Sequence, residues 1–194
     1  MKTKNVDIVE EIRRFVEIES KKPENWWGEE FYSLHLVGVN KYSKLLAEKL
    51  GADMEVVELA AWLHDIGSII HGREDHHLTG AKIAEEKLRE LGYPEEKIIQ
   101  VKQCILAHRG SKNIAPETIE AKIIADADAL SIFDYIHGPF LAAFVYEKLN
   151  QIQARKSVKQ KYINSWNKLS FQESKEIIKP KYEAVMLLLG DIKN

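Results

Sequence analysis

The chain has 194 residues, 45% hydrophobic and 30% charged, and 28 basic residues against 30 acidic ones leave a net charge of −2. That balance argues against a dedicated nucleic-acid binder, which carries a basic excess, and a single cysteine, Cys104, excludes an intramolecular disulfide and a cysteine-rich zinc site. The charged start, MKTKNVDIVEEIRRF, lacks a signal peptide's apolar core, and the longest late apolar run, Ala184 to Leu189, is too short to span a bilayer, so a cytoplasmic protein is expected.

Taken in order, Val6, Ile8, Val9, Ile12, Phe15, Val16 and Ile18 predict a first helix ending before Pro23. Trp26 and Trp27 follow in a turn closed by Gly28; a hydrophobic lid, an interface and the core are the roles open to them, and core or interface packing is the simplest. A second helix is expected over about 29–50, stopped by Gly51. Phe31, Leu34, Tyr42, Leu45 and Leu46 share one of its faces, and His35 and Gly38 lie within that face.

Asp53 is suited to cap a third helix. From Val56 to Leu63 only Glu58 is polar, so this helix should be buried nearly all round. It runs into His64-Asp65, with Gly67 as its expected stop. Residues 68–75 read as a polar connection holding His71, and a further helix should start near His76 or Leu78 and stop at Gly92.

Pro94 is placed to begin the next helix, which carries Ile98, Val101, Ile105 and Leu106, then His108, and stops at Gly110. Pro116 opens another, with Ile119, Ile123, Ile124, Ala127, Leu130 and Phe133 as its apolar positions. Gly138-Pro139 breaks the chain, with His137 in the loop. An apolar helix to about residue 149, a basic one over 155–168 and a last one over 171–189, kinked at Pro180, complete it. The basic run Arg155, Lys156, Lys159 and Lys161 reads as a solvated face. The expectation is an all-α single domain, with neither an internal repeat nor a linker composition.

Ionisable residues at apolar positions carry the chemical signal. His35 sits on a core-facing stripe, His64 and Asp65 end a core helix, and Asp126 and Asp128 interrupt an apolar helix. Burying such groups is costly unless they pair or hold an ion. Two imidazoles and two carboxylates form a mixed nitrogen and oxygen set suited to Mn, Fe, Co, Ni or Zn. Periodicity leaves Asp126 and Asp128 equivalent. Taken alone, His64 and Asp65 also fit a structural pair at a helix end. His76 and His77 equally fit polar helix-start residues, and His108 a helix-end residue facing the dipole.

Tyr32-Ser33-Leu34-His35, Leu63-His64-Asp65-Ile66-Gly67 and Ala125-Asp126-Ala127-Asp128-Ala129-Leu130 together resemble the HD-domain superfamily of metal-dependent phosphohydrolases. The likeness runs from about residue 31 to 132, leaving 139–194 as a helical extension. It implies an HD-type helical bundle with His35, His64, Asp65 and Asp128 as ligands of one divalent ion. His76-His77-Leu78-Thr79-Gly80 resembles the family's His-x-x-x-Gly step. His108 stands where some members place another histidine for a second metal, which allows a weaker second ion here. Arg109 departs from those members, which often carry a further histidine there, and Ser68 departs from the nucleotidase-like ones, which carry a glutamate.

The resemblance implies hydrolysis of a phosphomonoester, nucleotide or related phosphate compound. Asp65, His76 and His108 would serve the catalysis, and Arg73, Arg109 and Lys112 are candidates to hold phosphate. A small phosphorylated substrate is the expected partner; nucleic acid and membrane are not expected, and a homodimer is compatible. A metal-binding or ligand-sensing module without turnover is the rival reading.

Overall fold

A computed structural model describes residues 7–25, 27–109 and 114–190; Val6, Trp26, Gly110 and Lys112 lie outside them. The described residues contain helices and no strand, and no single helix is long and apolar enough to cross a membrane. Two compact units divide the chain, Met1–Ala125 and Asp126–Asn194.

In the first unit, α1 (Ile8–Ser20) is capped by Asp7, whose carboxylate accepts the Val9 and Glu10 amides. It buries Ile12 and Val16 and packs on α3. The second expected helix has two parts, a π-helical turn (Tyr32–Leu36) that runs on into α2 (Val37–Leu50). The Val37 amide reaches back five residues to the Tyr32 carbonyl. Such π turns are rare and recur at functional sites; His35 lies inside this one. Gly51, with φ 69°, ends α2 as expected.

α3 (Met54–Leu63) starts at the expected Asp53 cap and buries Val56, Val57, Leu59, Ala60, Ala61, Trp62 and Leu63. The chain then departs from expectation. Gly67 stops nothing, because α4 (Ile66–His71) begins directly after Asp65 and buries Ile66, Gly67, Ser68 and Ile69. The first half of the supposed polar connection, residues 68–71, is therefore helix, and His71 is the last residue of α4. The reason for Gly67 is proximity: a Cβ there would stand 2.3 Å from the His76 carbonyl oxygen and 2.5 Å from the Gly80 nitrogen. Glycine at 67 lets α4 meet α5 (His76–Glu90) backbone to backbone. Asp75, just before α5, adopts the left-handed region at φ 47°, a strain of about 1 kcal/mol that aspartate tolerates better than most residues.

α6 (Glu95–Ala107) starts after Pro94, which caps it rather than opening it, and packs on both α5 and α3. α7 (Ile119–Ser131) begins three residues later than Pro116 suggested, and the Thr118 hydroxyl takes the Ala121 amide at its first turn.

The second unit takes the end of α7 and continues through a short 3-10 turn (Ile132–Asp134). α8 (His137–Leu141) then runs on into a second π-helical turn (Ala142–Tyr146), so His137 opens a helix and is not a loop residue. α9 (Gln151–Asn167) carries a capping box between Asn150 and Gln153, and α10 (Gln172–Leu188) holds Pro180 within it. Leu130, Phe133, Ala154, Tyr162 and Ile178 are buried here, and the Tyr162 hydroxyl donates to the Ile132 carbonyl at 3.1 Å.

Candidate metal centre

His64 caps the C-terminal end of α3 and Asp65 the start of α4, so the dipeptide occupies the elbow between two buried helices. Both helices are held by apolar burial, and their junction leaves the two ionisable side chains inside the unit: His64 is fully buried. His35 comes from the π turn, His76 from the first residue of α5 and His108 from the end of α6. These three are buried as well.

Asp65 organises the four rings. Its Oδ2 lies 3.4 Å from His35 Nε2 and 3.4 Å from His64 Nε2. Its Oδ1 lies 3.1 Å from His76 Nε2 and 3.7 Å from His108 Nε2. Within each pair the Nε2 atoms face each other, His35 to His64 at 3.2 Å and His76 to His108 at 3.2 Å. The five side chains thus form two potential ligand triads, His35–His64–Asp65 and Asp65–His76–His108, joined by one carboxylate.

The outer nitrogens decide what the inner ones can do. A carbonyl only accepts, so each Nδ1 bonded to one carries hydrogen: His64 donates to Ala61 O at 2.8 Å, His76 to Arg73 O at 2.8 Å and His108 to Ile105 O at 2.6 Å. In the neutral rings of His76 and His108, two Nε2 lone pairs and a carboxylate oxygen then converge with no hydrogen between them. That is a repulsive arrangement unless a cation is held there. Metal-binding histidines commonly hand their second N–H to a carbonyl in this way. The donor set therefore fits a divalent ion. With protons in place of an ion the same rings act as cations: burial works to raise the Asp65 carboxyl, but the His64 charge and hydrogen bonds from His35, His64 and His76 hold it well below the usual carboxylate range.

The two candidate aspartates separate clearly. Asp126 is buried, and its carboxylate accepts the Ser170 amide at 2.8 Å and 3.0 Å and the Phe171 amide at 3.1 Å, pinning the backbone that leads into α10. It is committed to structure. Asp128 is half-buried in the second unit with Lys168 Nζ 3.7 Å from its Oδ2, a pairing that the sequence pattern of the basic helix does not encode. Of the phosphate candidates, Arg73 is exposed just before His76 and Arg109 is half-buried next to His108, while Lys112 lies outside the described residues. His77 is buried beside His76, with ring centres 6.2 Å apart, and His71 and His137 are exposed and outside the triads.

Residues 32–132 match the family model of the HD domain. The chain belongs to the HD-domain family. Ribonuclease Y of Alkaliphilus metalliredigens (strain QYMF) is 37% identical over 99 residues, which make up 50% of this chain and 19% of that protein. A tRNA (cytidine(56)-2'-O)-methyltransferase of Picrophilus torridus is 29% identical over 140 residues, covering 65% of this chain and 39% of that protein. The chain therefore spans well under half the length of both. Among solved structures, Bacillus subtilis YpgQ superposes with a TM-score of 0.73 at 20% identity, covering 93% of this chain and 91% of that one. Its complex with ADP gives 0.71 at 23% identity, with 93% and 89% covered. At that identity the likeness establishes the fold. Family membership and the His/Asp cluster together support metal-dependent hydrolase chemistry.

Proposed function

We propose that this HD-domain protein is a divalent-metal-dependent phosphohydrolase acting on a phosphomonoester, nucleotide or related phosphate compound. The observation that carries it is the one carboxylate of Asp65, mostly shielded from solvent, with two imidazoles on each of its oxygens. His35, His64 and Asp65 hold the primary ion, and Asp128 completes that set by its place in the family's closing motif. His76 and His108, sharing Asp65, hold a weaker second ion or contact phosphate. An ion bound there supplies Lewis acidity toward a phosphoryl oxygen and an attacking water.

The chain's own residues supply the rest. Carbonyl-anchored His64, His76 and His108 keep their Nε2 atoms aimed inward without reorganisation. Asp65 orients the attacking water through its depressed, ionised carboxylate. Arg73 and Arg109 offer bidentate charge to the substrate phosphate. The ADP complex of YpgQ and the ribonuclease Y relatives, named for RNA cleavage, both support a phosphate-ester substrate.

The test is a screen of metal-stripped and Mn-, Co- or Ni-loaded protein on nucleoside mono-, di- and triphosphates, sugar phosphates and a short RNA. Turnover that needs metal and stops with chelator is expected. A loaded protein inactive on the whole panel would favour a metal-dependent sensing module instead.

A further inference from the structure

An aromatic column leads to the metal centre, and none of the proposed chemistry uses its two outer rings, Trp27 and Phe31. The Trp27 ring stacks on Phe31 with centres 5.4 Å apart and planes within 15°, and Phe31 lies 4.7 Å from His35. Trp27 and Phe31 are half-buried, whereas His35 is buried, so the column runs from solvent inward. Trp27 is locked in place by its indole Nε1, which donates to Ser68 Oγ at 2.6 Å. Ser68 is itself buried and stands three residues after Asp65 on α4.

A cation completes the set. The Arg73 guanidinium carbon lies 6.0 Å from the Trp27 ring centre. Its side chain makes no hydrogen bond or ion pair among the described residues, and its carbonyl anchors His76. Phe31 thus touches one histidine pair and Arg73 is tied to the other.

Two half-exposed stacked rings, one of them tethered at its polar edge, lose little freedom when a flat ligand covers them. An exposed guanidinium alongside suits a phosphate oxygen. We propose that Trp27 and Phe31 form a subsite for the planar ring of a phosphorylated ligand, with Arg73 taking one of its phosphate oxygens. This subsite rests on the phosphohydrolase reading for its place beside the phosphate-binding centre. It adds selectivity for ring-bearing phosphates over ringless ones. Ser68 is a positioning residue that sets the plane of the indole.

Calorimetric binding of ADP and of pyrophosphate to the Mn-loaded full chain tests it, using Trp27→Ala, Trp27→Phe and Phe31→Leu, each checked for helix content and bound metal. Trp27→Ala should weaken ADP about 5- to 100-fold and leave pyrophosphate within about twofold, the loss typical of one base–aromatic stack. Trp27→Phe keeps a ring and should recover most of the ADP affinity, and Phe31→Leu should reproduce the selective loss. ADP binding that is unchanged in Trp27→Ala and Phe31→Leu, or that falls equally with pyrophosphate, overturns the subsite. So does a wild type that binds ADP no better than pyrophosphate. Selective ADP binding by a wild type that hydrolyses nothing on the phosphate panel would sustain the subsite and remove the hydrolase reading, so the two failures look different.

Discussion

His76 Nε2 and His108 Nε2 face each other at 3.2 Å although the other nitrogen of each ring is spent on a backbone carbonyl. Thirty-two positions apart in sequence, on different helices, these rings form the half of the centre that the His-Asp signature does not contain. The geometry makes them the counterpart of His35 and His64, with Asp65 shared.

That sharing predicts an order of metal loss. Asp65→Ala should empty both halves, because each triad loses its only carboxylate. His76→Ala or His108→Ala should lower the bound metal by one ion at most and leave the ion held by His35 and His64. Turnover in either variant should fall roughly 100- to 1,000-fold, as for other positioned transition-state contacts. Elemental analysis beside steady-state rates checks it, and complete metal loss in His76→Ala would show the first triad to be misassigned.

Asp126 and Asp128 should behave as different kinds of residue. Asp126→Ala releases the backbone that leads into α10, leaving the Ser170 and Phe171 amides without their acceptor, and should cost about 1–3 kcal/mol of stability. Its metal content should be normal. Asp128→Ala should keep its melting temperature within a few degrees and lose metal. Thermal melts paired with metal analysis distinguish them, and a reversed pattern would move the closing ligand to Asp126.

Gly67→Ala is expected to act at the metal centre without touching a ligand. The added methyl meets the His76 carbonyl and Gly80 amide at 2.3 Å and 2.5 Å, so α4 and α5 must separate. A cost of about 1–3 kcal/mol is expected for overpacking, with His76 displaced from Asp65. Second-ion affinity should fall more than first-ion affinity, a difference that a titration of the metal-free protein reads directly.

Cys104 provides the pH test. Burial, aided by the Glu120 charge, pushes its thiol from the ordinary 9.0 up to about 12. The native protein should therefore resist alkylation at neutral pH and react once denatured. Because the unfolded chain loses this proton first, the stabilisation is complete below the unfolded value and erodes as pH rises toward the folded one. Denaturant melts from about pH 8 to about pH 11 should show a shallower alkaline decline in Cys104→Ala than in the wild type.

Much of this was legible in the residues alone. The apolar run from Val56 to Leu63 dictates a buried helix, Asp53 its start and Gly51 the end of the helix before it, because periodicity and caps act locally. The grouping of His35, His64 and Asp65 was legible too, since charged groups at core-facing positions demand a compensating partner. Other features needed the third dimension. Gly67 reads as a helix stop until the α4–α5 approach shows that it is there for want of a Cβ. Asp126 and Asp128 are indistinguishable by period, and only the amides of residues 170 and 171, more than forty positions away, commit one of them to structure. By residue pattern alone His76 and His108 fit helix-end polar residues as well as site residues, because their pairing is made by packing α5 against α6, a contact between distant segments that no local pattern encodes.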